Sequence, residues 1–374
     1  MLPAARDAQI DFIRLVGEEP SGLYFEDFLR GGFQAWPRPY CERFPGLASW
    51  NGVAGLKRRL RILAGAPNDW QTLIASRSLP LLKLGASCLF RVCRNVLTTD
   101  LSWPTYQQAI VDRAASTGNR VVTTAIRDHI LRGGWDGAAI VNHMAEEFAR
   151  HGCDGLLLPA VDHLGIRLPI GQIVRRIKGQ SELRFLLVDA AQAYCHIPLD
   201  ECIAHADLVV AGCHKWMGAC LPVGIAFYGQ QRSRELIERR VRRCNDPLIR
   251  FVEELDGSVF TGRSETASIQ GLFAASGAAS AQLPVAVTPA EQTTVVDELL
   301  VSAPRPCDCW NPVVVAPTLR TRIAILERAY GKRRKPSATA VRREWFDAGC
   351  IVTGYQSGFA RLAFARGENR AEGQ

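Results

Sequence analysis

The chain has 374 residues, of which 47% are hydrophobic and 22% charged. That is enough apolar content to bury a full core and excludes an intrinsically disordered chain, and the 32 glycines and 20 prolines follow no collagen-like period. The net charge of +8 sits in short scattered groups, Lys57–Arg59, Arg239–Arg243 and Lys332–Lys335; these read as solvated helix faces, which implies a modest attraction for anionic ligands and no nucleic-acid partner.

In chain order, the start MLPAARDAQIDF lacks the basic residues and apolar run of a signal peptide. Residues 1–70 are helical and aromatic, and are expected to wrap a large domain or pack against a small one. A large α/β domain is expected over 71–285. Within it Val96–Thr98, Arg120–Ala125, Leu156–Ala160, Phe185–Asp189, Leu208–Gly212 and Val223–Tyr228 read as buried strands. Between them Ile140, Met144 and Phe148 share one face of a helix that Gly152 ends. Strands alternating with helices predict a mostly parallel sheet flanked by helices, with ligands beyond the carboxyl ends of the strands. The longest uncharged stretch, Thr266–Ala290, carries Ser, Thr, Gln and Pro and suits a buried small-residue helix and loop better than a bilayer span. No membrane partner and a cytoplasmic location are therefore expected. Residues 286–374 are Pro-punctuated and offer strands at Val313–Ala316, Cys350–Thr353 and Ala360–Phe364 with a helix around Thr339–Ala348, a small α+β domain. The twelve cysteines are scattered, with only Cys307 and Cys309 close-set and no zinc spacing, so they are expected as reduced thiols with no metal.

The chemistry concentrates in Phe185–Gly229. Asp189 ends an apolar strand, Gln192 follows it, and Lys215 stands in the turn after a second apolar strand. A lysine between two buried strands is badly placed for a solvated charge. Beside an electrophilic cofactor it could instead form an imine. Pyridoxal phosphate needs such a lysine for its Schiff base, and an acidic partner to keep the pyridine nitrogen protonated.

The segment resembles the class V aminotransferase and cysteine desulfurase family of fold-type I pyridoxal-phosphate enzymes. The family's strand, D-x-A-Q, G-x-x-P, A-D and H-K pattern stands here as Asp189-Ala-Ala-Gln192, Cys195-His-Ile-Pro198, Ala206-Asp207 and His214-Lys215-Trp216, with Gly224 near the start of the next strand. Cys195 replaces a glycine. The resemblance implies that Lys215 is catalytic and that Asp189, Gln192 and His214 bind the cofactor. Val161-Asp162 through Pro169-Ile170 is similar to the family's N-x-x-G-x-x-x-P segment, with Asp162 where an Asn often stands near the phenolic oxygen. Trp103, in Leu101-Ser-Trp-Pro-Thr-Tyr106, falls where the family stacks a ring on the pyridine. Ser76, Arg77 and Ser78 match the phosphate cup in position, ahead of a helical run. Gly212 replaces a hydroxyl residue of that cup, and Arg263 stands in the family's G-T element, which reaches across from a second subunit. A homodimer with shared active sites and Arg263 on the partner's phosphate is therefore expected. Arg361, in Gly358-Phe-Ala-Arg361, resembles the arginine that holds the substrate carboxylate.

What the resemblance implies is an enzyme that takes a small amino substrate through an external aldimine, as an aminotransferase or a Cβ-eliminating lyase. An epimerase, a C–C bond-forming member, or a catalytically retired binding protein are the alternatives. Persulfide-forming desulfuration is disfavoured, because Arg328–Ala340 contains no cysteine.

Overall fold

The computed structural model describes residues 1–19, 26–257, 266–285, 300, 305–329, 336–356 and 358–363. The main sheet has seven strands: β1 (Gln71–Ala75), β2 (Asn95–Thr99), β3 (Arg120–Thr124), β4 (Gly155–Pro159), β5 (Phe185–Asp189), β6 (Leu208–Gly212) and β7 (Gly224–Tyr228). Their order is β1-β7-β6-β5-β4-β2-β3. Strands β2 to β6 pair in parallel, whereas β7 runs antiparallel to both β6 and β1. The six apolar runs are strands, shifted by no more than a residue at either end. Strand β1 was not expected, because its three apolar residues are too short a run to stand out beside the Ser76–Ser78 turn.

Helices cover the sheet, giving the mostly parallel α/β domain that the alternating pattern predicts. Helix Gly137–Arg150 buries Ile140, Met144 and Phe148, and Gly152 follows it at a left-handed φ of 56°. Helix Gln270–Ala281 is buried along Gly271–Ala279, as its small residues imply. Helix Pro3–Glu18 lies against it so closely that a Cβ on Gly277 would fall 2.3 Å from the carbonyl oxygen of Ala4. Phe273 anchors this contact, stacked 4.2 Å from Phe12 and tilted 4.6 Å from Trp50. The N-terminal aromatics thus pack on helix Gln270–Ala281. Among the described residues no helix is long and apolar enough to cross a membrane.

A second, antiparallel sheet is built from β8 (Trp310–Pro312), β9 (Ile323–Arg328), β10 (Thr353–Gly354) and β11 (Phe359–Ala363), in the order β10-β11-β9-β8, with helix Ala338–Asp347 packed on it. Here the sequence reading needs correcting. The strand expected at Val313–Ala316 ends at Pro312, since the chain turns into a 3-10 turn at Pro317–Leu319. The one expected at Cys350–Thr353 begins only at Thr353. The central strand β9 was missed. Cys307 and Cys309 form a disulfide across a Cα separation of 5.3 Å, in place of two reduced thiols, and the other ten cysteines form no disulfide.

Because Phe273 is fully buried among Phe12, Phe28 and Trp50, Phe273→Ala opens a cavity at the helix pair. A loss of about 3–5 kcal/mol in unfolding free energy is expected, read from the denaturant midpoint at unchanged m-value.

Candidate active site

Strands β4, β5 and β6 end at the same edge of the sheet, and the loops leaving them face a cleft of about 360 Å³. Asp189 closes β5, where the strand's burial leaves it 9% exposed, and its Oδ1 accepts the Ala191 N–H at 2.9 Å. The strand is held from behind by Asp207. That fully buried carboxylate accepts the Leu186 N–H at 2.8 Å and pairs with Arg232 at 2.6 Å. The loop after β6 presents His214 and Lys215 to the cleft, and Gln192 lines it from the loop after β5.

The electrostatics follow from burial. Desolvation raises the Asp189 carboxyl to about 6, against the pull of the Ala191 N–H and of Lys215. Desolvation also lowers the Lys215 ammonium; Asp189 opposes that shift and Arg361 adds to it. A lysine held this way offers more free amine at neutral pH, which is the form that attacks a carbonyl. His214 is lowered as well, by burial first and then by Lys215 and Arg77.

Asp162 and His163 enter from the loop after β4. Asp162 is 1% exposed; its Oδ1 accepts N–H groups from Leu164 at 2.9 Å and Ile166 at 2.7 Å, while Oδ2 has no partner. Trp103 caps helix Pro104–Thr117 and stands edge-on to His163, with centroids 5.4 Å apart. Arg361 projects from β11, its Nη1 donating to the His163 carbonyl at 2.9 Å.

Of the expected phosphate cup, the cleft receives only Ser78. Ser76 and Arg77 lie outside its lining, and the Ser76 hydroxyl donates to Asp246 at 2.6 Å. Arg263 lies outside the described residues. Ser78 is brought in by a close approach: a Cβ on Gly224 would fall 2.2 Å from the Arg77 carbonyl and 2.5 Å from the Ser78 nitrogen. Glycine at 224 is therefore a packing requirement.

Sequence reasoning missed Tyr106, Tyr355, His163, His196 and Trp216. The Tyr106 hydroxyl hydrogen-bonds Ser78, and burial followed by the Asp189 charge pushes its phenol up to about 12. The Trp216 indole donates to the Gln192 side-chain oxygen at 3.0 Å, which fixes the orientation of that amide because an indole N–H only donates. His196 stacks on Trp216 at 3.6 Å; its Nε2 accepts the Arg322 N–H at 3.1 Å, so Nδ1 carries the proton donated to the Gln192 carbonyl at 2.7 Å. Only Trp216 left a signal, standing next to Lys215. Cys195, where the family pattern has glycine, adopts a left-handed φ of 59°, a region glycine enters without strain.

Residues 136–238, which include Asp189 and Lys215, match the aminotransferase class-V family. The match spans a little over a quarter of the chain and is a similarity of this stretch. No curated protein matches the chain. Among solved structures, a cysteine desulfurase from Escherichia coli is 14% identical, covering 97% of this chain and 86% of its own, with a TM-score of 0.65. A C-DES variant with glycine covalently linked to its PLP cofactor is 13% identical, covering 97% and 89%, with a TM-score of 0.63. An aspartate aminotransferase of subgroup IV from Thermus thermophilus is 15% identical over 85% of each chain, with a TM-score of 0.60. The fold is fold-type I of the pyridoxal-phosphate enzymes. The cleft brings together an amine, a buried carboxylate at a strand end and an unpartnered carboxyl oxygen, a donor set that fits pyridoxal phosphate.

Gly224→Ala forces the Arg77–Ser78 backbone away from β7. It is expected to lower stability by about 1–3 kcal/mol and to weaken pyridoxal phosphate uptake, followed as the rise of the protein-bound visible absorbance.

Proposed function

We propose that this chain is a pyridoxal-phosphate-dependent enzyme acting on the amino group of an α-amino acid or an amine-bearing metabolite, as an aminotransferase or a Cβ-eliminating lyase in the cytoplasm. The observation that carries the reading is the meeting in one cleft of Asp189 with Lys215, which is solvent-exposed there yet has its ammonium lowered by partial desolvation. Bound there, the cofactor supplies an electron sink for the bonds at the substrate's Cα. Asp189 is the group to ion-pair with its pyridine nitrogen, since a cation set against a buried carboxylate favours the charged form of both. Lys215 holds the cofactor and, once its amine is released, moves the proton at Cα. Gln192 is held by Trp216, and His214 flanks Lys215. Trp103 and His163 offer rings to cover the pyridine face, and Arg361 holds the substrate carboxylate through its planar fork.

A persulfide route lacks support. Among the described residues no cysteine lines the cleft, and Cys350 is a half-buried thiol raised by burial.

Sodium borohydride reduction of the cofactor-loaded protein is expected to fix the label on Lys215, as read by peptide mapping, and Lys215→Ala is expected to lose the label while keeping its fold. A label on any other lysine overturns the assignment.

The proposal includes a homodimer with shared sites. With Ser76 committed to Asp246 and Gly212 lacking a hydroxyl, the phosphate is short of donors, and Arg263 of a second copy is the group expected to supply them. Inactive Lys215→Ala and Arg263→Ala chains should then regain partial activity when mixed and reassembled, because each mixed dimer has one site free of both changes. No recovery, or a monomer by light scattering, removes Arg263 from the site.

A further inference from the structure

Asp162 is a departure that the geometry explains. An asparagine at this position would offer an N–H to an anionic phenolic oxygen, whereas an ionised aspartate would repel it. The structure divides the two oxygens of the carboxyl. Oδ1 is saturated by the Leu164 and Ile166 N–H groups, and Oδ2, buried and without a partner, belongs to a residue that lines the cleft beside Lys215 and Asp189. The loop that does this is tightly fixed. Gly165, at φ 92°, packs so closely that a Cβ would fall 2.5 Å from Ile323, and Thr321 donates to its carbonyl at 2.8 Å.

We propose that Asp162 works as a neutral carboxylic acid, donating its Oδ2 proton to the phenolic oxygen of bound pyridoxal phosphate; the proposal rests on the cofactor reading above.

A neutral acid can fill the role of an amide donor, since a protonated carboxyl has one O–H to give while its other oxygen still accepts. Burial favours that form, pushing the carboxyl up to about 7 against the Ile166, Leu164 and Gly165 N–H groups and the Arg127 charge. An anionic acceptor favours it further, so cofactor binding and proton retention support each other. The neighbours do not reverse this. The Arg127 charge opposes the shift without cancelling it. His163 is lowered to about 4 and stays neutral through the range, and the Tyr355 phenol is raised by burial. Asp189, Lys215 and Arg361 line the same cleft and are common to every variant compared.

The consequence is a donor that is lost with rising pH where an asparagine would keep it. The dissociation constant for pyridoxal phosphate, measured by absorbance from pH 6 to pH 9 on the full chain, is expected to be similar for wild type and Asp162→Asn at the acid end. At the alkaline end wild type is expected to bind about tenfold more weakly than Asp162→Asn. Asp162→Leu, with no donor, should be weaker than Asp162→Asn at every pH. A ratio of wild type to Asp162→Asn that is flat with pH overturns the proposal, as does an Asn variant no better than the Leu variant, which marks a structural role alone. If the variants do not fold, the infrared spectrum of wild type decides. A protonated-carboxyl band that grows on adding pyridoxal phosphate at neutral pH supports the assignment, and no such band overturns it. A wild-type chain that takes up no pyridoxal phosphate at all fails at the earlier step, the cofactor reading itself.

Discussion

Strands β4, β5 and β6 are buried at every position, and Asp189 is the one ionisable side chain they carry. A sheet of this kind excludes water from its middle, so charged groups are displaced to the strand ends, where loops can still open a cleft. The same exclusion sets the chemistry there. It moves a carboxyl up and an ammonium down, so both lie nearer neutrality than they would in water. The opposite shifts share one cause, the loss of water around both groups.

The small sheet completes the cleft from the other side. Arg361 on β11 reaches the His163 carbonyl, and Tyr355 reaches the same oxygen at 3.3 Å. Arg361 is thus tied to the loop that carries Asp162. Strand β11 pairs in turn with β9, whose lead-in at Arg322 is bonded to His196 on the Gln192 loop. Polar connections on both sides thus join the two sheets around the cleft.

Much of this was legible in the sequence because strongly apolar runs are interrupted by very few polar residues. Asp189 and Lys215 stood out for that reason, and the main sheet could be read from the same runs. Strand β9 was not legible, since IAILER mixes four apolar residues with Glu327 and Arg328 and suits a helix as well as a strand. Residues that act through tertiary contact left no local pattern. Ser76 looked like a phosphate donor until the fold brought Asp246, 170 residues away, onto its hydroxyl. Tyr106, Tyr355 and His196 reach the site or its support only through folding. Cys195 shows the reverse: a residue that departs from the family pattern marks a backbone conformation the pattern was written for.

The hydrogen bond from Arg322 to His196 is made by a main-chain N–H, and this changes what it asks of the sequence. Every amino acid but one supplies that donor, so as far as this link is concerned position 322 is free to drift in side chain across related chains and can be chosen for other purposes. Proline alone lacks the N–H. The link joining the two sheets is therefore almost invisible to comparison by residue identity, and would show only as the steady absence of proline at a position that otherwise varies.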